Sequence, residues 1–346
     1  DVDVDAGRIV YTQMLNARGG IECDLTVTRL SETSFFLVVP AATVRRDLAW
    51  LKRHVRDEAV VIMDATSSEA VFCLMGPKAR DVITQASPND FGNNAHPFGW
   101  AKEIEIGYGL ARAHRVTYVG ELGREVYVPT DQAAHVFETL LEAGEGQGLH
   151  LCGLHTLDSC RIEKAFRHFG HDITDEDHVL EAGRGFAVKP AKGDFFGRDA
   201  VLRKKESGLS RRMLQFRVAS PDHMLFHNEP LIKDGQIVGL VTSANYGHAL
   251  GGSIGMGYVP AEGETPADTL AASYEIEIAG ERVPAEASPK PLYYPKSYRV
   301  RQLPISPSIP CAGRGGLPPA SPPAPRPWPR ICARSARVSG AASTAR

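Results

Sequence analysis

The stretch Gly19-Gly20-Ile21-Glu22-Cys23-Asp24-Leu25-Thr26-Val27-Thr28-Arg29-Leu30 carries the reading of this chain. In it Ile21, Cys23, Leu25 and Val27 alternate with Glu22, Asp24, Thr26 and Thr28, the period-two pattern of a strand with one apolar and one polar face. The cluster Asn16-Ala17-Arg18-Gly19-Gly20 ahead of it marks a turn, and Arg8 to Leu15 completes a predicted β-hairpin. Asp24 then stands mid-strand on the polar face with Thr26 and Thr28. A carboxylate there is either solvent-facing on a half-exposed sheet or aimed at a ligand that the glycine pair lets come close.

Outward from this hairpin the pattern mixes strands and helices. Phe35 to Val39 reads as a strand, and residues 43–55 place Val44, Leu48, Leu51 and Val55 at helical spacing. Val60 to Met63 and Val71 to Met75 read as short strands, and Gly76-Pro77 opens another helix. Val116 to Pro129 has the form of a hairpin around Gly120-Glu121-Leu122-Gly123. Thr130 or Asp131 caps a helix running to about Ala143. Leu154 to about Phe169 is helical again. Beyond Phe195 the chain changes to short strands with Asp-Gly and Gly-Gly turns, as in a small antiparallel barrel or sandwich. The fold class expected is therefore α+β, with a boundary between Val188 and Gly208.

Composition narrows the function. The 346 residues carry a formal net charge of −2. Six arginines and no Asp or Glu lie between Leu303 and Arg346, so without them the balance falls to about −8. An acidic body argues against nucleic-acid binding, which favours a basic excess. Residues 302–346, rich in Pro, Ala, Ser, Gly and Arg, are expected to be disordered. The longest apolar stretch, around Phe35 to Val44, is broken by Pro40 and falls short of a membrane span. The opening Asp1-Val2-Asp3-Val4-Asp5 is no signal peptide and has no initiating Met, which reads as a fragment or processed product. The six cysteines form no C-x-x-C pair. A reducing, cytoplasmic compartment is expected, or the mitochondrial matrix in a eukaryote.

Four side chains stand out. Beside Asp24, Arg161 falls on the helical stripe of Leu154, Leu157 and Ala165, where a guanidinium needs a carboxylate partner or a polar cavity. Tyr118 and Glu125 flank the Gly120–Gly123 turn, either as an ordinary cross-strand pair or as ligand contacts. His168-x-x-His171 and His223-x-x-x-His227 have metal-compatible spacing without the Glu or Cys context of a metal site, so no metal is expected. Gly251 to Gly257 opens no helix and is not read as a phosphate loop. No Walker A motif, dinucleotide fingerprint or nucleophile elbow is present.

Eight strings in order carry a resemblance: GGIECDLTVTRL (19–30), LMGPKAR (74–80), TYVGELGREVYVP (117–129), LDSCRIEKAFRHFGHDI (157–173), LEAGRGFAV (180–188), HNEP (227–230), TSANYGHALGGSIGMGYV (242–259) and PLYYPKSYRVR (291–301). Over residues 1 to about 301 the chain resembles the folate-dependent aminomethyltransferases. That family holds the glycine-cleavage T-protein and the C-terminal half of dimethylglycine and sarcosine dehydrogenases, and the chain is more similar to the latter. The resemblance implies a truncated folate-binding domain over 1–190, a β-barrel domain over 195–301 and an unrelated tail over 302–346. It places Asp24 beside tetrahydrofolate as the catalytic residue, with Tyr118, Glu125 and Arg161 lining the folate pocket. Arg124 stands where relatives carry a bulky apolar or aromatic residue, and is expected to disturb the pocket wall. The implied activity is transfer of a one-carbon unit, from an iminium or formaldehyde, to tetrahydrofolate. The alternatives are a T-protein served by a lipoyl carrier, or a catalytically silent folate-binding module. FAD belongs in this picture to a preceding oxidoreductase domain, acting in cis or in trans. No nucleic-acid or membrane partner is implied.

Overall fold

Asn16 explains where the first hairpin reverses. Its Oδ1 accepts from the backbone N–H of Arg18 and of Gly20, both at 3.0 Å, and Gly19 takes a φ of +79° that a side chain resists. The turn joins β1 (Ile9–Leu15) to β2 (Ile21–Arg29) with Gln13 opposite Asp24 and a register shift between Met14 and Leu15. β3 (Phe35–Val38) pairs with the other edge of β2. The apolar side of this sheet, Cys23, Leu25 and Val27, packs with Leu37 and with Trp50 of α1 (Val44–His54). The structure is a computed structural model that describes residues 2–220 and 222–301. The disorder expected of 302–346 lies outside the described residues.

A second sheet follows. β4 (Glu69–Met75), α2 (Ala79–Ala86), β5 (Ala101–Ile106), β6 (Gly109–His114), β7 (Gly123–Pro129) and α3 (Ala133–Gly144) form an antiparallel sheet of order β4-β7-β6-β5. Val82, Ile83, Val136 and Leu140 of the helices close a core with Ile104, Ile106, Val126 and Val128. Two expectations fail here. Val60 to Met63 is no strand; Val60, Val61 and Met63 are exposed and no neighbour supplies a pairing edge. Nor is Val116–Pro129 a hairpin, because both edges of β7 are taken by β4 and β6, leaving 117–122 as a loop.

α4 (Leu154–Glu163) is shorter than expected, since Ala165 turns to a φ of +50° and ends the helical path. After α5 (Arg198–Ser207), the strands β8 (Arg211–Val218), β9 (Pro230–Lys233), β10 (Gln236–Gly247) and β11 (Gly252–Pro260) lead through α6 (Pro266–Ala271) to β12 (Tyr274–Ile278) and β13 (Glu281–Ser288). They close as a barrel of order β10-β11-β8-β13-β12-β9. The glycines of β11 serve its packing: a Cβ on Gly255 would fall within 2.9 Å of Leu225 and 3.0 Å of Val241. The chain then straps back over the first part to α7 (Tyr298–Arg301). Tyr293 Oη and Arg299 Nη1 donate to Glu121 Oε1 at 2.5 and 3.0 Å. The buried Lys164 Nζ donates to the carbonyls of Tyr293 and Tyr294 at 3.2 and 2.6 Å. Among the described residues no helix is long and apolar enough to cross a membrane.

Candidate active site

Strand pairing builds the centre of the site. Opposite residues of an antiparallel pair share a face, so Gln13 and Asp24 face the same way, with Tyr11 two residues along. Tyr11 Oη donates to Asp24 Oδ1 at 2.6 Å and Gln13 Nε2 donates to the same oxygen at 2.9 Å. Oδ2 receives no hydrogen bond from the described residues, so one carboxylate oxygen is clamped and the other is open. Burial pushes the Asp24 pKa up, opposed by the bonds from Tyr11 and Gln13 and by the Arg184 charge. The Tyr11 ring stacks on Phe186 at 6.0 Å between centroids. Arg184, 5.1 Å over Phe186, lies on the same side.

Tyr118 sits in the 117–122 loop. Its hydroxyl donates to the Arg167 carbonyl at 2.8 Å and its ring stacks on Phe166 at 5.9 Å and 12°. Burial raises its pKa, and Arg161, Asp172 and Asp24 all act on it. Tyr118 is thus a common electrostatic neighbour of Asp24 and Arg161.

Arg161 is 3% exposed and fully engaged. Nε donates to Asp158 at 2.7 Å, Nη1 to Asp172 at 2.7 Å and to the Phe166 carbonyl at 3.2 Å, and Nη2 to Ser243 at 2.9 Å. Burial opposes its charge, but Asp172, Tyr118 and Asp158 together raise its pKa. This guanidinium fastens α4 and the following loop to β10 of the barrel, with Ser243 on the barrel side.

Glu125 belongs to a different cluster, on β7 opposite Cys73 and His114. It accepts from Tyr127 Oη at 2.6 Å, and burial pushes its pKa up. Phe36 of β3 meets Tyr127 edge-on at 5.4 Å and His114 at 5.9 Å, bringing the first sheet onto this cluster. His114 is held neutral, its pKa pushed down to about 3 by burial and the neighbouring Arg112. Arg124 does not disturb this wall. Strand alternation turns it to the opposite face, fully buried, where Nη2 donates to the Phe91 carbonyl at 2.9 Å and Nε reaches His96 at 3.3 Å.

Tyr11, Gln13, Tyr127, Arg167 and Arg184 are polar groups of this region that sequence reasoning did not select. Tyr11 and Gln13 lie on the hairpin already inferred, but finding them needed the register, which the shift at Met14 and Leu15 hides. The histidine spacings hold no metal cluster: among the described residues no three His, Cys, Asp or Glu side chains gather for an ion.

Two small sheets followed by a closed six-stranded barrel define a T-protein-like fold. Residues 1–192 match the family described as "GCVT N-terminal domain" and residues 211–293 the "Glycine cleavage T-protein C-terminal barrel domain". The crystal structure of glycine cleavage system aminomethyltransferase T from Bartonella henselae aligns with a TM-score of 0.71 and 27% identity, over 83% of this chain and 77% of that one. The 4-methylaminobutanoate oxidase (formaldehyde-forming) of Paenarthrobacter nicotinovorans is 39% identical over 302 residues, 87% of this chain and 36% of that protein. The mitochondrial sarcosine dehydrogenase of Homo sapiens is 31% identical over 322 residues, 88% of this chain and 35% of that protein. The chain therefore belongs to the glycine-cleavage T-protein family of aminomethyltransferases. It spans about a third of the length of the oxidase and the dehydrogenase it matches.

Proposed function

We propose that this chain performs the folate-dependent half of an amine demethylation. A one-carbon unit, arriving as an iminium or as formaldehyde, is passed to tetrahydrofolate to give 5,10-methylenetetrahydrofolate. In this reading residues 1–190 hold the folate and the barrel of 195–301 closes against them. The one-carbon donor comes from an FAD-dependent oxidoreductase domain, in cis or in trans. Support for that source is the likeness to an oxidase and a dehydrogenase of which this chain covers about a third.

The observation that carries the reading is Asp24, with Oδ1 held by Tyr11 and Gln13 and Oδ2 without a protein donor. The surrounding residues fit a flat ring rich in N–H groups. Gln13 Oε1 is buried with no donor to satisfy it, a vacancy for a ligand N–H. Glu125 can accept two N–H groups in parallel, and Tyr118 offers a ring face and an oxygen. Arg161, already saturated by protein groups, acts as the brace behind Tyr118. Tetrahydrofolate, when bound, supplies the nucleophilic nitrogens.

Asp24 has two things to do. Its charge offsets that of a cationic iminium, and its carboxylate accepts the proton released as a new carbon–nitrogen bond forms, returning it to the departing amine or, where formaldehyde is the donor, to the oxygen that departs as water. A pKa lifted by burial suits the second task, because a base works best when its pKa lies nearer the operating pH. Asp24→Asn is expected to bind tetrahydrofolate as before and to slow formaldehyde trapping by about 10²–10⁴-fold. Titration with tetrahydrofolate followed by a trapping assay checks both halves; an unchanged trapping rate would remove Asp24 from the mechanism.

A further inference from the structure

The Tyr11 hydroxyl is engaged on both its donor and its acceptor side. It donates to Asp24 Oδ1 at 2.6 Å and accepts from Gln13 Nε2 at 2.8 Å. The half-buried Arg184 guanidinium hydrogen-bonds the same hydroxyl. A phenol oxygen carries one proton and has room for at most two donors, and a guanidinium can only donate. With Gln13 and Arg184 on the acceptor side, the proton has one direction left, toward Asp24. Arg184 is also held in place by its own segment. Its backbone N–H donates to the Val179 carbonyl at 2.9 Å, and its carbonyl accepts from the Ala187 N–H at 2.9 Å, closing the single helical turn Gly185–Ala187. That turn carries Phe186, whose ring centre lies 5.1 Å from the guanidinium carbon and which stacks on the Tyr11 ring at 6.0 Å and 23°. One aromatic ring thus touches both the arginine and the tyrosine and keeps them side by side.

Charge acts in the same sense as geometry. Burial pushes the Asp24 pKa up; Tyr11, Gln13 and Arg184 pull against it, while Asp47 of α1 adds to the rise. Asp24 is coupled as well to Tyr118 in the 117–122 loop, and Arg184 to Arg167, which it repels. We propose that Arg184 is a positioning residue of the Asp24 site, fixing the Tyr11 proton on Asp24 Oδ1. Without Arg184, one acceptor position of the hydroxyl falls to water and the proton is free to turn. The ionised carboxylate then loses a fixed donor and a nearby positive charge together. This deepens the function proposed above and rests on Asp24 as its working carboxylate. Arg184 touches neither the carboxylate nor the reacting atoms in this assignment; its effect passes through Tyr11.

The test reads Asp24 itself. In the full chain, with aspartate isotope-labelled at the side-chain carboxyl, the Asp24 resonance is identified by its loss in Asp24→Asn and followed through a pH titration by NMR. Arg184→Gln is expected to raise the Asp24 midpoint by about one pH unit, the low end of what one nearby opposite charge does. Arg184→Lys keeps a donor and the charge, and is expected to restore most of that difference. In a Tyr11→Phe background the link is cut, so Arg184→Gln is expected to move the midpoint much less than it does beside Tyr11. A midpoint unmoved by Arg184→Gln would overturn the proposal. So would a shift of undiminished size in the Tyr11→Phe background, because the arginine would then act through space and not through the tyrosine. The titration involves neither folate nor turnover, so its outcome is separate from the role of Asp24 in transfer. If the midpoint moves as expected while the acid limb of formaldehyde trapping stays where it was, the positioning by Arg184 stands and the assignment of Asp24 as the base falls.

Discussion

A carboxylate inside a protein is defined by its hydrogen-bond donors, and Asp24 has two on one oxygen. Burial keeps the Tyr11 phenol protonated by pushing its pKa up, so it remains a donor to Asp24 throughout the working range. That bond favours the ionised carboxylate and holds the Asp24 pKa below where burial alone would put it. Tyr11→Phe removes one of the two donors, so the Asp24 pKa rises further. Asp24 works as a base only when deprotonated, above its pKa. The acid limb of the pH–rate profile is therefore expected to move to higher pH in Tyr11→Phe, with little change on the alkaline side. A profile that falls uniformly at all pH values would assign Tyr11 to packing on Phe186 instead.

At the scale of elements, two turns of the barrel form a natural comparison. Asp234-Gly235 joins β9 to β10 and Ala279-Gly280 joins β12 to β13, each as a two-residue loop. Both central residues have positive φ in each turn: +50° and +80° in the first, +52° and +85° in the second. Asp-Gly is a favoured pair for this geometry, whereas alanine has a Cβ that resists it and no side chain to compensate. Ala279 is exposed, so nothing is lost by replacing it. Ala279→Asn is expected to stabilise the protein by about 1 kcal/mol, read as a higher urea midpoint with an unchanged slope. The same contrast explains what could be read from the sequence. Asp-Gly and the alternation of 21–30 are local signals, and both gave the correct element. The supposed 116–129 hairpin failed because β7 pairs with β4, more than fifty positions earlier, and no local pattern reports that partner. The helix ended early because Ala165 adopts a conformation its residue type does not announce. Arg124 was legible in principle: neighbours on a strand face opposite ways, which separates it from Glu125. Asp24 was found by alternation, whereas its donors Tyr11 and Gln13 emerge only from the pairing register, which three-dimensional structure supplies.

Across the whole molecule the two halves are joined by buried charge. Glu181 accepts Lys204 Nζ and Ser210 Oγ at 2.7 Å on one oxygen and Arg211 Nε at 3.1 Å on the other, tying its loop to α5 and to the start of β8. Burial would raise its pKa, but these three donors overcome that and bring it down to about 2. A carboxylate whose folded pKa is lowered adds stability that is complete above its ordinary value of 4.5 and is lost as the pH falls toward 2. Glu181→Gln is expected to cost about 2 kcal/mol at pH 7, less than a fully buried pair because Lys204 and Arg211 are partly solvated. The gap between wild type and variant, measured by denaturant unfolding, should shrink between those two pH values; a constant gap would mean that the loss is one of shape rather than charge. The C-terminal strap sets an order on the making of this protein. Glu121, three residues past Tyr118, takes its donors from Tyr293 and Arg299, 172 and 178 positions further along the chain. While the chain emerges from a ribosome, both small sheets have their strands long before the loop that carries Tyr118 has its anchor. The wall of the site is finished by some of the last described residues to be synthesised, so a product cut short before Arg299 keeps Asp24, Tyr118 and Glu125 in its sequence and still lacks the clasp that holds them to one shape.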